Sequence, residues 1–286
     1  MTDALLTIIL GLLSALSLAL VNFAVKRGGD VLTTRMIMSM TMALTAIPVA
    51  VFVPFPSQAL WGALLISLLV HGAYQWAMIR ALHRGDLSLV FPVMRGAGPV
   101  LTAFFAWVVL NETLSPGALV GLFLASVGVV IFALPEKLAP EAQRLNRAAL
   151  FYAVLAAIGV GAYSAVDARA VRMADTPWTF IAWLYLIDWI FVTLTTVFTR
   201  RGVLMTSVRA QWKGGVAAGL IGSLSFALLL YAFTLAGAAT VTALRETAVV
   251  FGAILGWLFL NESFGLRRVV SAAVIAAGLA LMQLAA

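Results

Sequence analysis

The sequence predicts an all-α integral membrane protein in which ten transmembrane helices form two inverted five-helix repeats. Three observations lead to this fold class. The chain of 286 residues is 63% hydrophobic and only 10% charged, whereas a soluble domain carries roughly 25% charged residues. Its apolar residues form ten runs of membrane-spanning length, and its second half repeats residue types of the first half at a fixed offset.

The ten apolar runs justify the predicted helices one by one. Each run approaches the roughly 20 residues that a helix needs to cross the hydrocarbon core. Residues 36–79 contain no Asp, Glu, Lys or Arg, which leaves room for two crossings. The runs are too long and too uniformly apolar for the strands of a membrane barrel. The predicted spans are residues 4–25, 31–53, 59–80, 87–109, 116–134, 148–168, 177–199, 214–235, 239–260 and 267–285.

Composition also excludes several classes of function. The net charge is +7, but the cations lie in short connections between spans and form no basic stripe, which excludes a nucleic-acid partner. The absence of cysteine excludes disulfides, thiol catalysis and thiolate metal sites. No nucleotide-binding or hydrolase motif and no cluster of metal ligands is present. We therefore expect no enzyme activity, no cofactor and no metal.

The internal repeat is clearest between residues 95–134 and 245–284, which align without a gap at an offset of 150. A second and weaker match has an offset of 145. We expect a first repeat over residues 1–135, a connecting loop over 136–147 and a second repeat over 148–286. The first match pairs Arg95 with Arg245, Trp107 with Trp257 and Glu112 with Glu262; the second pairs Asn22 with Asp167, Arg27 with Arg172 and Asp30 with Asp175.

The odd number of helices in each repeat has a consequence for function. A second unit of five helices must enter the membrane upside-down relative to the first. Inverted repeats are typical of secondary transporters, whose substrate site lies near the midplane where the two units meet. The sequence therefore predicts a transporter with a central cavity between the repeats.

The connections between spans differ in charge at the two faces of the membrane. The face that carries both termini has only Arg169 and Arg172. The opposite face is rich in cations and is called the cationic face below. The positive-inside rule therefore places both termini outside the cytoplasm. The cations of the cationic face are Lys26, Arg27, Arg80, Arg84, Lys137, Arg144, Arg147, Arg200, Arg201, Arg209, Lys213, Arg267 and Arg268.

Four charged residues lie well inside predicted spans: Arg95, Asp188, Arg245 and Glu246. A charge at the centre of a membrane helix costs roughly 2.5–3.5 kcal/mol on insertion scales, so these side chains should face the protein interior. One interpretation is mutual pairing, with Glu246 bound to Arg95 across the repeat interface. The other is substrate contact, because a guanidinium group binds carboxylates, phosphates and phosphonates bidentately. Asp188 and Glu246 are also the candidate proton carriers, whereas Asp167 lies near a predicted span end, where solvation is an alternative.

Span four is expected to be the irregular helix, because it contains Pro92, Gly96, Gly98 and Pro99. Proline removes a hydrogen bond from the helix and kinks it. Span nine contains Gly252 but no proline. Close packing through small residues is the alternative interpretation for the glycines.

Semi-polar aromatic residues provide candidate walls for the cavity. His71, Tyr74 and Trp76 cluster in span three, and Trp183 occupies span seven. The alternatives are a core role or an interfacial position for the aromatic residues and a hydrogen-bonded core position for His71. The candidate substrate-binding residues are thus Arg95, Arg245, Glu246, His71, Tyr74, Trp76, Trp183 and Asp188.

Several of these segments together resemble the EamA branch of the drug/metabolite transporter superfamily. They are residues 21–26, Arg35, residues 92–99 with 110–115, and residues 244–247 with 261–263. The resemblance covers essentially the whole chain and implies a transporter. Relatives carry amino acids, amines, nucleosides, sugars and drugs, and usually have both termini inside. The chain has Asn111 and Asn261 where family members typically have glycine before the loop glutamate.

These observations lead to one preferred function and several alternatives. The preferred function is a secondary transporter of the bacterial inner membrane that moves an amino acid or another small acid, such as a phosphonate, by alternating access. The Arg-Gly and Arg-Glu-Thr patterns of spans four and nine are similar to those of family members associated with phosphonate use. The alternative within this class is an exporter of amines or drug-like cations that uses Asp188 and Glu246. A channel and a membrane-embedded enzyme are the alternatives from other classes.

The expected partners are the small-molecule substrate, the lipid bilayer and a proton as coupling ion. The protein is expected to be a monomer or a homodimer.

Overall fold

The computed structural model describes residues 2–27, 29–84, 87–134, 147–260 and 265–285. Within these ranges, only the backbone is described for residues 26–27, 82, 87–89, 91–92 and 260. Within these residues, ten helical segments are long and apolar enough to cross a membrane, and no strand occurs. The helices are α1 Asp3–Arg27, α2 Val31–Phe52, α3 Gln58–Leu82, α4 Leu87–Leu110, α5 Pro116–Ala133, α6 Arg147–Met173, α7 Pro177–Thr199, α8 Leu204–Ala232, α9 Ala238–Arg245, α10 Ala248–Leu260 and α11 Leu266–Leu284. The two short helices α9 and α10 together form span nine. Asn261, Glu262 and most of the predicted connection 136–147 lie outside the described residues.

The packing of the helices is that of two inverted repeats. Helix α1 packs against α8 and against span nine, and its counterpart α6 packs against α3 and α4. Helix α2 packs against α7, and α5 packs against α11, so each of these pairs joins equivalent helices of the two units. Exchanging the two halves therefore reproduces these helix pairings. Most of the helix–helix contacts in the interior join one repeat to the other, and few lie within a single repeat.

Helices α5 and α11 approach each other closely through glycine. A side chain at Gly121 would come within 2.6 Å of the Gly278 carbonyl oxygen, and one at Gly278 would come within 2.5 Å of the Ala125 amide nitrogen. Both distances are shorter than a van der Waals contact. Small residues at such crossings allow membrane helices to pack by backbone contact.

The Gly121→Leu substitution is therefore expected to destabilise the protein by roughly 1–3 kcal/mol or more, because a well-packed interface must open to admit the side chain. The matched control is Gly62→Leu in α3, where no atom lies within 4 Å of the added carbon. Thermal unfolding of both variants in detergent measures the difference. Equal unfolding midpoints would show that the crossing of α5 and α11 does not require glycine.

Helix ends at both faces are fixed by polar side chains. Ser57, Ser115 and Thr176 cap the N-termini of α3, α5 and α7 with their hydroxyl groups. Asp30 caps α2 and forms an ion pair with Arg200, with 3.2 Å between Oδ2 and Nε. Burial raises the pKa of the Asp30 carboxyl, but hydrogen bonds from Thr33 and Arg200 outweigh this effect and hold the pKa below its usual value.

The end of α4 explains why asparagine precedes the loop glutamate. Asn111 has a φ of 56°, in the left-handed region that glycine tolerates best and asparagine second best. The substitution of the family's usual glycine by asparagine is therefore compatible with this backbone.

The expected irregularity falls in the other repeat. Helix α4 is continuous through Gly96, Gly98 and Pro99, whereas span nine is interrupted at Glu246 and Thr247. The two glycines serve close packing, since added carbons would lie 2.1 Å from Val130 and 3.2 Å from Val160. In span nine, the Thr247 amide and hydroxyl both bond to the Leu244 carbonyl, the hydroxyl at 2.7 Å. A threonine hydroxyl that competes for a backbone acceptor disturbs a helix. The prediction of an irregular span four rested on proline and glycine and did not consider such a hydrogen bond. The side chain of Pro92 is not among those that the structure describes.

Candidate functional site

A cavity of about 200 Å³ with both apolar and charged lining residues lies between the two repeats. Its lining extends from the middle of the helices to Val25 and Arg35, close to the ends of α1 and α2 at the cationic face. No lining residue belongs to the last turn of a helix at the opposite face. The cavity therefore extends toward the cationic face and stops short of the face that carries both termini, which is called the closed face below.

Six of the eight candidate residues line this cavity: His71, Tyr74, Arg95, Asp188, Arg245 and Glu246. The other two do not. Trp76 is 42% exposed on the outside of the helix bundle, where its ring packs against Tyr152. Trp183 packs with Phe55 and Trp61, with ring centroids 5.0 and 5.3 Å apart.

Arg95 and Glu246 form an ion pair across the repeat interface, which is one of the two interpretations that the sequence left open. Arg95 Nη1 donates to Glu246 Oε1 over 3.3 Å. Glu246 is only 3% exposed, and its Oε2 has no hydrogen-bond partner among the described residues. The interruption of span nine places this carboxylate at the cavity wall opposite α4.

Arg245 has a different environment, although it is the repeat counterpart of Arg95. Its guanidinium carbon lies 5.5 Å from the centre of the Phe226 ring. Within the described part of the chain, no carboxylate oxygen lies within 4 Å of it, and its Nε has no hydrogen-bond partner. Arg35, which also lines the cavity, contacts the Met78 sulfur at 3.4 Å. Of the charged side chains described in the lining, three are thus cations and two are anions.

His71 lies between two carboxylates that come from the second repeat. Its Nε2 is 2.9 Å from Asp167 Oδ2, and its Nδ1 is 3.7 Å from Asp188 Oδ1. Asp167 also accepts a short hydrogen bond from the Ser67 hydroxyl. The Tyr163 ring packs against the imidazole, with centroids 4.6 Å apart. The solvated position considered for Asp167 is wrong, because the residue is fully buried.

Other polar residues of the cavity were not among the sequence candidates. Asn22, Arg35, Ser39, Gln75 and Tyr163 all line it. Asn22 and Asp167 are equivalent in the weaker repeat, and Arg35 is the only Lys or Arg of span two. The sequence therefore contained signals for these residues. The sequence does not give the rotation of each helix about its axis, which decides whether a polar residue faces the cavity.

At the face that carries both termini, a polar cluster joins the two repeats and is here called the Glu112–Arg172 latch. Arg172 donates to Glu112 Oε1 over 2.6 Å and to the carbonyls of Phe233 and Ala236 over 2.6 and 2.9 Å. Glu112 Oε2 accepts from the Ala238 amide over 2.8 Å. Glu112 belongs to the first repeat, and the other four residues belong to the second. All five residues of the latch lie at helix ends or in short connections.

The donor set gives no indication of a metal centre. Among the described residues, no group of three His, Cys, Asp or Glu side chains is arranged to hold a metal ion. The charged groups of the cavity are instead suited to hydrogen bonding and ion pairing with a small polar molecule.

The fold and the cavity define a polytopic membrane transporter. The model of the EamA-like transporter family matches residues 5–134 and 147–284. The chain therefore belongs to the EamA-like transporter family, in the drug/metabolite transporter superfamily, and the resemblance noted in the sequence is confirmed. A crystal structure whose title names no function has the same fold, with a TM-score of 0.77 at 18% identity over 99% of this chain and 98% of that one. No curated protein matches the chain.

Proposed function

We propose that this protein is a secondary transporter that moves a small anionic metabolite through the cavity by alternating access. The observation that carries the proposal is Arg245, a guanidinium group that faces the cavity without a carboxylate partner among the described residues. A cation in a membrane interior is costly unless it is paired. A carboxylate, phosphate or phosphonate of the substrate would supply the missing partner and accept two parallel hydrogen bonds.

The size of the cavity supports a small metabolite as the substrate. A volume of about 200 Å³ is below the roughly 300–1,000 Å³ of sites for drug-sized ligands. A molecule with the dimensions of an amino acid or a simple phosphonate would fit. Asn22, Ser39 and Gln75 offer further hydrogen bonds for the remainder of such a molecule. The substrate class thus includes small acids and excludes bulky aromatic drugs.

The state of the two faces supports alternating access. The cavity extends toward the cationic face, while the Glu112–Arg172 latch joins the two repeats at the opposite face. We propose that the cationic face is cytoplasmic, that the membrane is the bacterial inner membrane, and that the proton is the coupling ion. Because each chain contains both repeats, we propose that a monomer contains a complete pathway.

A second candidate substrate class is an amine. Asp188 Oδ1 and Glu246 Oε2 have no hydrogen-bond partner among the described residues. Both atoms belong to residues of the cavity lining and would accept hydrogen bonds from an ammonium group. The anionic substrate is preferred because Glu246 is already paired with Arg95, whereas Arg245 has no carboxylate within 4 Å in the described chain.

A thermal-stability screen of the purified protein tests the two substrate classes. The panel contains acidic amino acids, phosphonates, nucleosides and amines. A ligand at 100 times its dissociation constant stabilises the folded state by about 2.7 kcal/mol. We expect an acid to raise the unfolding temperature of the wild-type protein and to have no such effect on Arg245→Gln.

Arg209→Gln is the matched control, because Arg209 is an exposed cation near the start of α8. It should keep the full response to the acid. Stabilisation by amines that disappears in Asp188→Asn would instead establish the second class. Stabilisation by an acid that persists in Arg245→Gln would contradict the assigned role of Arg245.

A further inference from the structure

We infer that His71, with Asp167 and Asp188, forms the site that holds the transported proton. This inference rests on the proposed transport function for its physiological meaning, but the proton site itself is independent of the substrate. The three residues come from three helices: α3 of the first repeat, and α6 and α7 of the second. They therefore lie where the two repeats move against each other.

The charges of this group favour an additional proton. The imidazole lies between two carboxylates: Nε2 forms a hydrogen bond of 2.9 Å with Asp167 Oδ2, and Nδ1 lies 3.7 Å from Asp188 Oδ1, an ion-pair distance beyond that of a hydrogen bond. A neutral imidazole carries no charge, so it would leave two carboxylate charges uncompensated in the membrane interior, where an unpaired charge is costly. A proton on the imidazole or on a carboxyl group reduces this imbalance.

The two carboxylates differ in their access to the cavity. The Asp167 side chain is fully buried, whereas that of Asp188 is 26% exposed. Asp167 is further fixed by the hydroxyl of Ser67. Asp188 is therefore the entry point for a proton from the cavity, His71 is the site that holds it, and Asp167 orients the imidazole and balances its charge.

The proton site is connected to the proposed substrate site through Phe226. The ring of Phe226 lies 5.9 Å from the His71 ring and 5.5 Å from the Arg245 guanidinium carbon. An anion bound at Arg245 would favour a positive charge at His71, and by linkage a proton at His71 would favour the anion. The geometry therefore indicates transport of proton and anion in the same direction.

The charged and titratable groups around His71 come from five helices, while α8 contributes the uncharged ring of Phe226. They are Arg35 of α2, Tyr74 of α3, Tyr163 and Asp167 of α6, Tyr185 and Asp188 of α7, and Arg245 and Glu246 at the end of α9. The carboxylates of Asp167 and Asp188 are the groups that contact the imidazole directly. The Arg245 guanidinium and the His71 imidazole both pack against the Phe226 ring.

The proton can be observed directly, because the chain contains only two histidines. His83→Gln removes the exposed histidine at the end of α3 and leaves His71 as the sole imidazole. Nitrogen NMR of this variant, labelled with ¹⁵N-histidine in lipid at pH 7, reports whether both ring nitrogens carry protons. Infrared spectroscopy of the same sample reports a protonated carboxyl group.

We expect one of these two signatures in His83→Gln and the loss of one proton per chain in the double variant with Asp167→Asn. An imidazole with a single proton, together with no protonated carboxyl, would overturn the inference. A spectrum that Asp167→Asn leaves unchanged would overturn it as well. Neither result depends on the identity of the substrate.

Proteoliposomes test the coupling with glutamate and methylphosphonate as the probes. We expect a pH gradient to drive accumulation of a probe at least ten-fold less in His71→Gln than in the control His83→Gln. Equal accumulation in both variants would overturn the coupling. If the NMR signature is present and neither probe enters in any variant, the proton site stands and the proposed substrate class fails.

Discussion

Replacement of Glu246 by alanine is expected to destabilise the protein by about 3–5 kcal/mol, the usual cost of breaking a buried ion pair by removing one partner. Glu246 is 3% exposed and lies 3.3 Å from Arg95. Its loss leaves Arg95 as a second guanidinium beside Arg245, without a carboxylate between the two. The measurement is reversible unfolding in detergent, followed by tryptophan fluorescence.

Two further variants separate the lost pairing from other effects. Asp175→Ala removes an exposed carboxylate and should change the free energy of unfolding by less than about 0.5 kcal/mol. The double variant Arg95→Met with Glu246→Leu removes both charges and should recover most of the stability of the wild type. If Glu246→Ala and the double variant unfold alike, the ion pair does not stabilise the fold.

The double variant also decides between the two interpretations of the pair. Transport that is lost although stability is recovered would assign Arg95 and Glu246 to substrate binding or gating. Transport that is retained would make them a structural pair and leave Arg245 as the substrate-contacting residue. The sequence alone could not separate these interpretations, because both require the same two charges inside the membrane.

The fold could be predicted because its signals are long and repeated. Ten apolar runs and the match of residues 95–134 with 245–284 specify the helices and their inverted arrangement. The same repeat pairs Arg95 with Arg245, and both residues line the cavity. Helix ends were less certain: α8 begins at Leu204, ten residues before the predicted span. Polar residues such as Gln211 and Lys213 masked that extension in the sequence.

The details of the site were harder to predict, because they depend on how each helix is rotated. Trp76, Trp183 and Tyr74 are all semi-polar aromatic residues inside predicted spans, yet of these three only Tyr74 lines the cavity. Tryptophan suits the lipid interface and an aromatic cluster equally well. The break in span nine depends on a side-chain hydrogen bond from Thr247. Neither a hydropathy pattern nor a search for proline detects such a bond.

Loss of the Glu112–Arg172 latch is expected to have the second large effect, on the conformational equilibrium rather than on folding. An exposed ion pair contributes about 0.2–1 kcal/mol and a typical hydrogen bond about 0.5–1.5 kcal/mol. Arg172 makes three such contacts with distances of 2.6, 2.6 and 2.9 Å, which together contribute on the order of 2 kcal/mol. Since 1.4 kcal/mol corresponds to a tenfold change in an equilibrium constant, Arg172→Gln should raise the population with the closed face open at least tenfold.

The absence of cysteine from the chain makes this shift measurable. A single reporter, Ser39→Cys, lies in the cavity lining and can be labelled by a membrane-impermeant thiol reagent applied to either face. In the otherwise unchanged protein we expect labelling from the cationic face. With Arg172→Gln, labelling from the opposite face should become at least ten times faster, because the interior is then exposed to that side.

Arg169→Gln is the matched control, since Arg169 is an exposed cation on the same helix, one turn before the latch. It should leave the labelling rates of both faces unchanged. The exchanged pair Glu112→Arg with Arg172→Glu should restore part of the closure, because the attraction between the two charges is retained while the carbonyl bonds are lost. Equal labelling rates in Arg172→Gln and Arg169→Gln would show that packing of the helix ends, and not the latch, keeps this face closed.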